Sequence, residues 1–202
     1  MRLAAIDIGS NAARLLIVEV KKHGKRPLFT ELNLVRIPLR LGFDVFEHGS
    51  ISRERREMMM HMMRAFSSLL KLYRVDAVHT YASSAMRNAS NSNDIIRDIK
   101  KNTGIAIEII SGSREAELLY QSHAAEKINK AETYLYVNVG GGSTELNLFV
   151  NGKPKKELSF EIGTIRVLKN NIPQERWDEL KRELKSIEKK FSPTAIIGSG
   201  GN

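Results

Sequence analysis

The chain has 202 residues, 42% of them hydrophobic and none cysteine, so it can bury one sizeable core or two small ones, without disulfides, thiolate metal sites or a cysteine nucleophile. A formal charge of +9 and a pI near 9.8 favour a polyanionic partner: nucleic acid, an anionic membrane surface or a phosphate-rich small substrate. No apolar run approaches the roughly 20 residues needed to cross a bilayer, and the N-terminus enters an acidic, glycine-containing motif directly, so a cytoplasmic protein with no membrane partner is expected.

Residues 2 to 8 and 14 to 20 (RLLIVEV) are β-rich runs joined by a short Gly-Ser-Asn segment, and 28 to 39 supplies a third extended stretch, giving a strand meander. Residues 52 to 74 predict a helix that starts at Ser52 and carries Met58, Met59, Met62, Met63, Phe66, Leu69 and Leu70 at helical spacing, as core filler. Strand and helix then alternate: strand 76 to 82, helix 93 to 103 ending at Gly104, strand 105 to 110, helix 113 to 128. At 133 the meander starts again, with TYLYVNV, TELNLFV and KKELSFEI as strands and Asn151-Gly152 as the turn between the second and third. A helix from about 174 to 190, opened near Pro173, leads to the short strand TAIIG and a glycine-rich turn at Ser199, Gly200 and Gly201.

The chain therefore repeats its own plan. IDIGSN followed by RLLIVEV is echoed by VNVGGGSTE followed by LNLFV, which predicts two similar α/β halves facing each other across a cleft. The expected division is residues 1–128 and 129–202, with the boundary near 127 to 132 at the end of a helix.

Asp7 closes a strand, and Gly9, Ser10 and Asn11 form a tight turn whose exposed N–H groups suit phosphate oxygens, while the carboxylate can hold Mg²⁺ or orient water. An ordinary hairpin turn is the plainer alternative. Gly140, Gly141, Gly142 and Ser143 form a second turn, and three consecutive glycines make sense where backbone approaches a ligand closely. No GxGxxG follows a strand and no GxxxxGK[ST] occurs, so the dinucleotide-fold and P-loop readings lack their parts. The five histidines show no zinc spacing, and aromatic residues, 6% of the chain, do not interleave with the basic runs, so a stacked nucleic-acid platform is disfavoured.

Two such turns on equivalent hairpins look like the paired phosphate loops of the actin, Hsp70 and sugar kinase superfamily. Within it, AAIDIGSNAARLLIVEV, LRLGFDVFEHGSIS, ASSAMRNASN, IISGSREAELLY and NVGGGSTEL resemble, in order and spacing, the exopolyphosphatase and guanosine pentaphosphate phosphatase family. IGTIRVL and IGSGGN fit its later segments. The resemblance implies an α/β fold of two ribonuclease-H-like (actin-like ATPase) domains, the second carrying only its first part.

It also implies hydrolysis of terminal phosphate from polyphosphate or guanosine pentaphosphate, with Mg²⁺ and a possible homodimer. Glu115 aligns with the carboxylate that activates water; as a helix-start residue its anion is favoured by the dipole, though a surface glutamate is the plainer reading. Arg87 resembles the family's phosphate-binding arginine, against a solvent-facing loop arginine. Gly9, Ser10, Asn11, Gly140, Gly141, Gly142 and Ser143 match the phosphate turns, and Asp7 and Glu145 match acidic positions near the metal. Where the family pattern has a metal-binding aspartate this chain has Asn138, which keeps a carbonyl oxygen but loses the charge. A non-catalytic polyphosphate or nucleotide sensor and an actin-like ATPase or sugar kinase remain as alternatives.

Overall fold

The computed structural model describes residues 1–23, 26–112, 114–115, 117–118, 132–170 and 172–200. The chain divides into two compact units, Met1–Ile110 and Ser111–Asn202. The boundary expected near 127 to 132 and most of the helix expected over 113 to 128 lie outside the described residues.

In the first unit, β1 (Arg2–Ile8), β2 (Ala13–His23) and β3 (Arg26–Ile37) form the antiparallel meander that the β-rich runs predict: Ala4, Ile6, Ile8, Leu15 and Ile17 point into the core while Ala5 and Asp7 face outward. Two helices follow, α1 (Leu41–His48) and α2 (Arg53–Leu72), then β4 (Ala77–Ala82), which pairs parallel to β1. Ser52 caps α2 by accepting from the Arg55 N–H, and Met59, Met62, Met63 and Phe66 form its buried stripe, with Met58 left exposed. The short α3 (Ser84–Asn88), α4 (Ser92–Thr103) and the two-residue β5 (Glu108–Ile109) complete a sheet of order β3-β2-β1-β4-β5. Gly104 ends α4 in the left-handed region at φ 76°, where glycine carries no Cβ penalty.

The second unit repeats this order. β6 (Thr133–Val139), β7 (Thr144–Val150) and β8 (Lys153–Phe160) form the meander, α5 (Thr164–Leu168) and α6 (Gln174–Phe191) follow, and β9 (Ala195–Gly200) returns parallel to β6, giving β8-β7-β6-β9. Asn151 and Gly152, at φ 52° and 69°, make the tight turn expected between β7 and β8. Leu135, Leu146, Leu148, Phe160, Ile162 and Ile187 form the core, with Trp177, Leu180 and Leu184 of α6 packed against it.

Three features differ from the sequence expectation. Helices α1, α3 and α5 were not expected, because they span only 8, 5 and 5 residues, too short for a helical period to stand out, and α1 starts from Arg40 in the left-handed region at φ 55°. Of the strand expected over 105 to 110, only Glu108–Ile109 pairs with β4. The last strand runs on through Ser199 and Gly200, which had been expected to turn; Gly200 pairs with Val139, and an added Cβ would meet the Val139 carbonyl oxygen at 2.8 Å.

Candidate functional site

Each unit joins its first two strands by a four-residue turn of the same construction. In the first, Ile8 pairs with Ala13 and the Gly9 N–H donates to the Ala12 carbonyl at 3.0 Å; in the second, Val139 pairs with Thr144 and the Gly140 N–H donates to the Ser143 carbonyl at 2.8 Å. The sequence echo is thus a structural repeat.

The carbonyls of these turns are held by the helix that follows each meander. At the start of α1, the Arg40 N–H donates to the Asn11 carbonyl (2.7 Å) and the Gly42 N–H to the Ser10 carbonyl (2.8 Å). At the start of α5, the Thr164 N–H donates to the Gly140 carbonyl (3.0 Å) and the Ile165 N–H to the Gly141 carbonyl (2.9 Å), while the Arg166 Nε donates to the Gly142 carbonyl (2.9 Å). The peptide bonds are trans, so a carbonyl held on one side turns the next residue's N–H to the other. The N–H groups of Ser10, Asn11, Gly141, Gly142 and Ser143 donate to no group among the described residues. Adjacent amides presented this way can bind an anion.

Around the first turn, Ser10 is buried and its hydroxyl shares a 2.7 Å hydrogen bond with the Ser84 hydroxyl of α3, so Ser10 fixes the turn through its side chain and leaves its backbone for a ligand. Arg87, half-buried on the same helix, donates from Nη1 to the Ile110 carbonyl at 2.7 Å. That bond anchors one arm of the fork. Asp7 faces outward at the end of β1, 3.3 Å from Arg14. Crowding by surrounding protein raises its carboxyl above the ordinary value and Arg14 only partly offsets this; with 56% of the side chain reaching solvent, the rise carries little free energy.

The second turn adjoins a chain of buried and half-buried polar groups. The Tyr136 hydroxyl donates to Ser199 Oγ (2.6 Å), Ser199 Oγ to Asn138 Oδ1 (2.9 Å), Asn138 Nδ2 to Glu145 Oε2 (2.9 Å), and Ser143 Oγ to Glu145 Oε1 (2.6 Å). Glu145 is 1% exposed. Glu115 is helical and half-buried; its N–H donates to the Ser111 carbonyl at 3.0 Å, and Ser111 Oγ caps the same turn by accepting from the Arg114 N–H at 3.1 Å.

The three residues expected at a divalent cation divide in two. Asp7 offers an outward carboxylate, which suits a hard cation arriving with phosphate ligands. Asn138 and Glu145 do not fit that role here: the asparagine presents an N–H, not an oxygen, to the carboxylate, and its oxygen accepts from Ser199. Among the described residues no three acidic or histidine side chains cluster as a metal site. An apolar cavity of about 660 Å³, lined by Leu146, Val167 and Trp177 among others, lies between the second sheet and its helices and has no charged lining residue to hold a polyanion.

Ser84, Gly163 and Arg166 pack on these turns and Ser199 on the polar chain beside the second, and none is a site residue in the sequence reading. Gly163 carried the clearest signal, a glycine directly before α5: a Cβ there would sit 2.5 Å from the backbone of Gly141 and Gly142.

The model of the Ppx/GppA phosphatase family matches residues 16–195. Exopolyphosphatase 1 of Mycobacterium tuberculosis is 26% identical over 175 residues, covering 87% of this chain and 50% of that protein. The chain thus spans about half the length of the curated relatives it matches. The crystal structure of an exopolyphosphatase from Cytophaga hutchinsonii superposes with a TM-score of 0.88 at 27% identity, over 100% of this chain and 67% of that one. A Ppx/GppA family member from Aquifex aeolicus gives a TM-score of 0.74 at 27% identity, over 100% of this chain and 66% of that one.

Proposed function

The chain belongs to the Ppx/GppA phosphatase family and has the actin-like ATPase fold, and from that premise we propose that it releases the terminal phosphate of inorganic polyphosphate by hydrolysis. The observation that carries this reading is the pair of equivalent turns, each with its carbonyls held and adjacent N–H groups left for an anion.

Glu115 takes a proton from water, the water oxygen bonds to the terminal phosphorus, and the bridging P–O bond breaks, leaving a polyphosphate shorter by one unit. In each unit the turn offers amides suited to phosphoryl oxygens, those of Ser10 and Asn11 in the first and of Gly141, Gly142 and Ser143 in the second, with Gly9 and Gly140 shaping the turns. Arg87, held at one arm by Ile110, directs its remaining N–H groups to the developing charge. Asp7 would hold Mg²⁺, which when bound would supply charge neutralisation. Guanosine pentaphosphate presents the same terminal anhydride and is the alternative substrate. A cytoplasmic location and homodimerisation accord with this reading, and among the described residues no helix is long and apolar enough to cross a membrane.

The Asn138–Glu145 hydrogen bond favours one second reading, a sensor that binds polyphosphate without turnover. The test is phosphate release from long-chain polyphosphate and from guanosine pentaphosphate, with and without Mg²⁺, for this chain and Glu115→Gln. The hydrolase reading expects release that falls about 10²–10⁴-fold in the variant. Tight binding without release establishes the sensor, and no binding to either compound refutes both.

A further inference from the structure

Among the groups holding the two turns, Arg166 differs in kind. In the first turn the Ser10 and Asn11 carbonyls are taken by backbone N–H groups of α1, whereas in the second the Gly142 carbonyl is taken by the Arg166 side chain. That side chain is 12% exposed, far below the ordinary exposure of an arginine, and its Nη2 reaches Glu161 Oε1 at 3.4 Å. Its position is set by α5, whose start presses on the triple glycine so closely that residue 163 has no room for a Cβ.

From this geometry we infer that Arg166 is a positioning residue for anion binding. By donating from Nε to the Gly142 carbonyl, it fixes the Gly142–Ser143 peptide so that the Ser143 N–H faces the phosphate side. A triple-glycine stretch has little conformational preference of its own, so without three carbonyl anchors that peptide can flip and present its oxygen to an incoming anion. Thr164 and Ile165 anchor the first two peptides through backbone bonds that survive side-chain substitution. The third depends on one side-chain donor. Arg166 therefore acts by orienting an amide, and the inference rests on the phosphate-binding reading of the turn.

Replacement by glutamine separates orientation from charge, because the glutamine amide nitrogen follows the same number of bonds from Cα as arginine Nε and can donate to Gly142 in its place. Arg166→Met keeps the side chain's bulk and removes the donor; both variants lose the charge and the Glu161 contact. The experiment is calorimetric titration with tripolyphosphate, alongside amide chemical shifts of Gly141, Gly142 and Ser143 and thermal melting. Orientation expects Arg166→Met to weaken binding about 10-fold, the effect of one hydrogen bond to an anion's cradle, and to move the Ser143 amide signal most. Arg166→Gln should recover most of that affinity although it melts no higher than Arg166→Met. Equal weakening in both variants would overturn the inference in favour of simple charge attraction, and binding unchanged in Arg166→Met would overturn it by showing that neither the donor nor the charge matters. If the unsubstituted protein binds no tripolyphosphate, the phosphate reading of the turn fails and this inference falls with it; the variants otherwise decide the inference alone.

Discussion

Asn138→Asp tests how the second turn's acidic position is satisfied. In the structure the Asn138 amide donates to Glu145 Oε2 at 2.9 Å, and Glu145 is 1% exposed. Aspartate would place two carboxylate oxygens in that contact. At an effective dielectric of about 20, two unit charges at this separation repel by about 6 kcal/mol. The pair escapes by keeping one proton, which costs about 1.4 kcal/mol for each pH unit above the ordinary carboxylate range near 4. The penalty is then about 5 kcal/mol at pH 8 and about 1.4 kcal/mol at pH 5. The folded variant holds a proton that the unfolded chain releases, so its stability falls as pH rises through this window. For a chain of this length about 1 kcal/mol corresponds to about 2–4 °C. Thermal melts of Asn138→Asp should therefore lie about 10–20 °C below the unsubstituted protein at pH 8 and only about 3–6 °C below at pH 5. Millimolar Mg²⁺ should restore part of the loss at pH 8, since a dication can replace the shared proton between two carboxylates. A deficit of the same size at both pH values would refute the hydrogen bond from Asn138 to Glu145 as the feature that satisfies this position.

Gly163→Ala should destabilise by about 1–3 kcal/mol and weaken tripolyphosphate binding, because the backbone at φ −142° and ψ 161° suits alanine while its Cβ would overlap the Gly141 and Gly142 backbone at 2.5 Å; denaturant melts and calorimetry check both. Asp44→Ala removes a clasp in which Asp44 accepts from the Ser52 N–H (3.0 Å) and Arg55 Nε (2.7 Å), and should cost about 2–4 kcal/mol at pH 7 by urea denaturation. Burial alone would raise the Asp44 carboxyl, but the Ser52 and Arg55 hydrogen bonds and the Arg55 charge hold it below its ordinary 3.8. Its stabilisation is complete above that value and lost as pH falls through the lower folded value, so the stability difference between the two proteins should narrow as the pH falls below 3.8.

Much of the fold is written in local pattern. The alternation of Ala4, Ile6 and Ile8 marks β1, Ser52 and the methionine stripe mark α2, Gly104 closes α4, and Asn151-Gly152 closes a hairpin, each a signal carried within a few residues by side-chain period or backbone preference. The duplicated hairpin with its glycines likewise pointed to both turns. What the sequence could not express was the partner of each group. Helix α1 has no side-chain cap at its N-terminus and forms where Arg40 and Gly42 can donate to the first turn and Asp44 can meet Arg55. Residues 105 to 107 have strand composition but no strand pairing beside β4, so β5 is two residues long. Ser10 meets Ser84 across 74 residues, and Arg166 reaches Gly142 across 24. Asn138 reads as a weakened metal ligand in the sequence and becomes a hydrogen-bond donor once Ser199, 61 residues on, occupies its oxygen. Local sequence determined which backbone conformations each segment prefers, because caps, periods and glycines act over one or two turns of chain. Only the tertiary structure decided which carbonyls and carboxylates are satisfied and which amides remain for a ligand, because those partners come from segments whose separation in sequence leaves no local pattern.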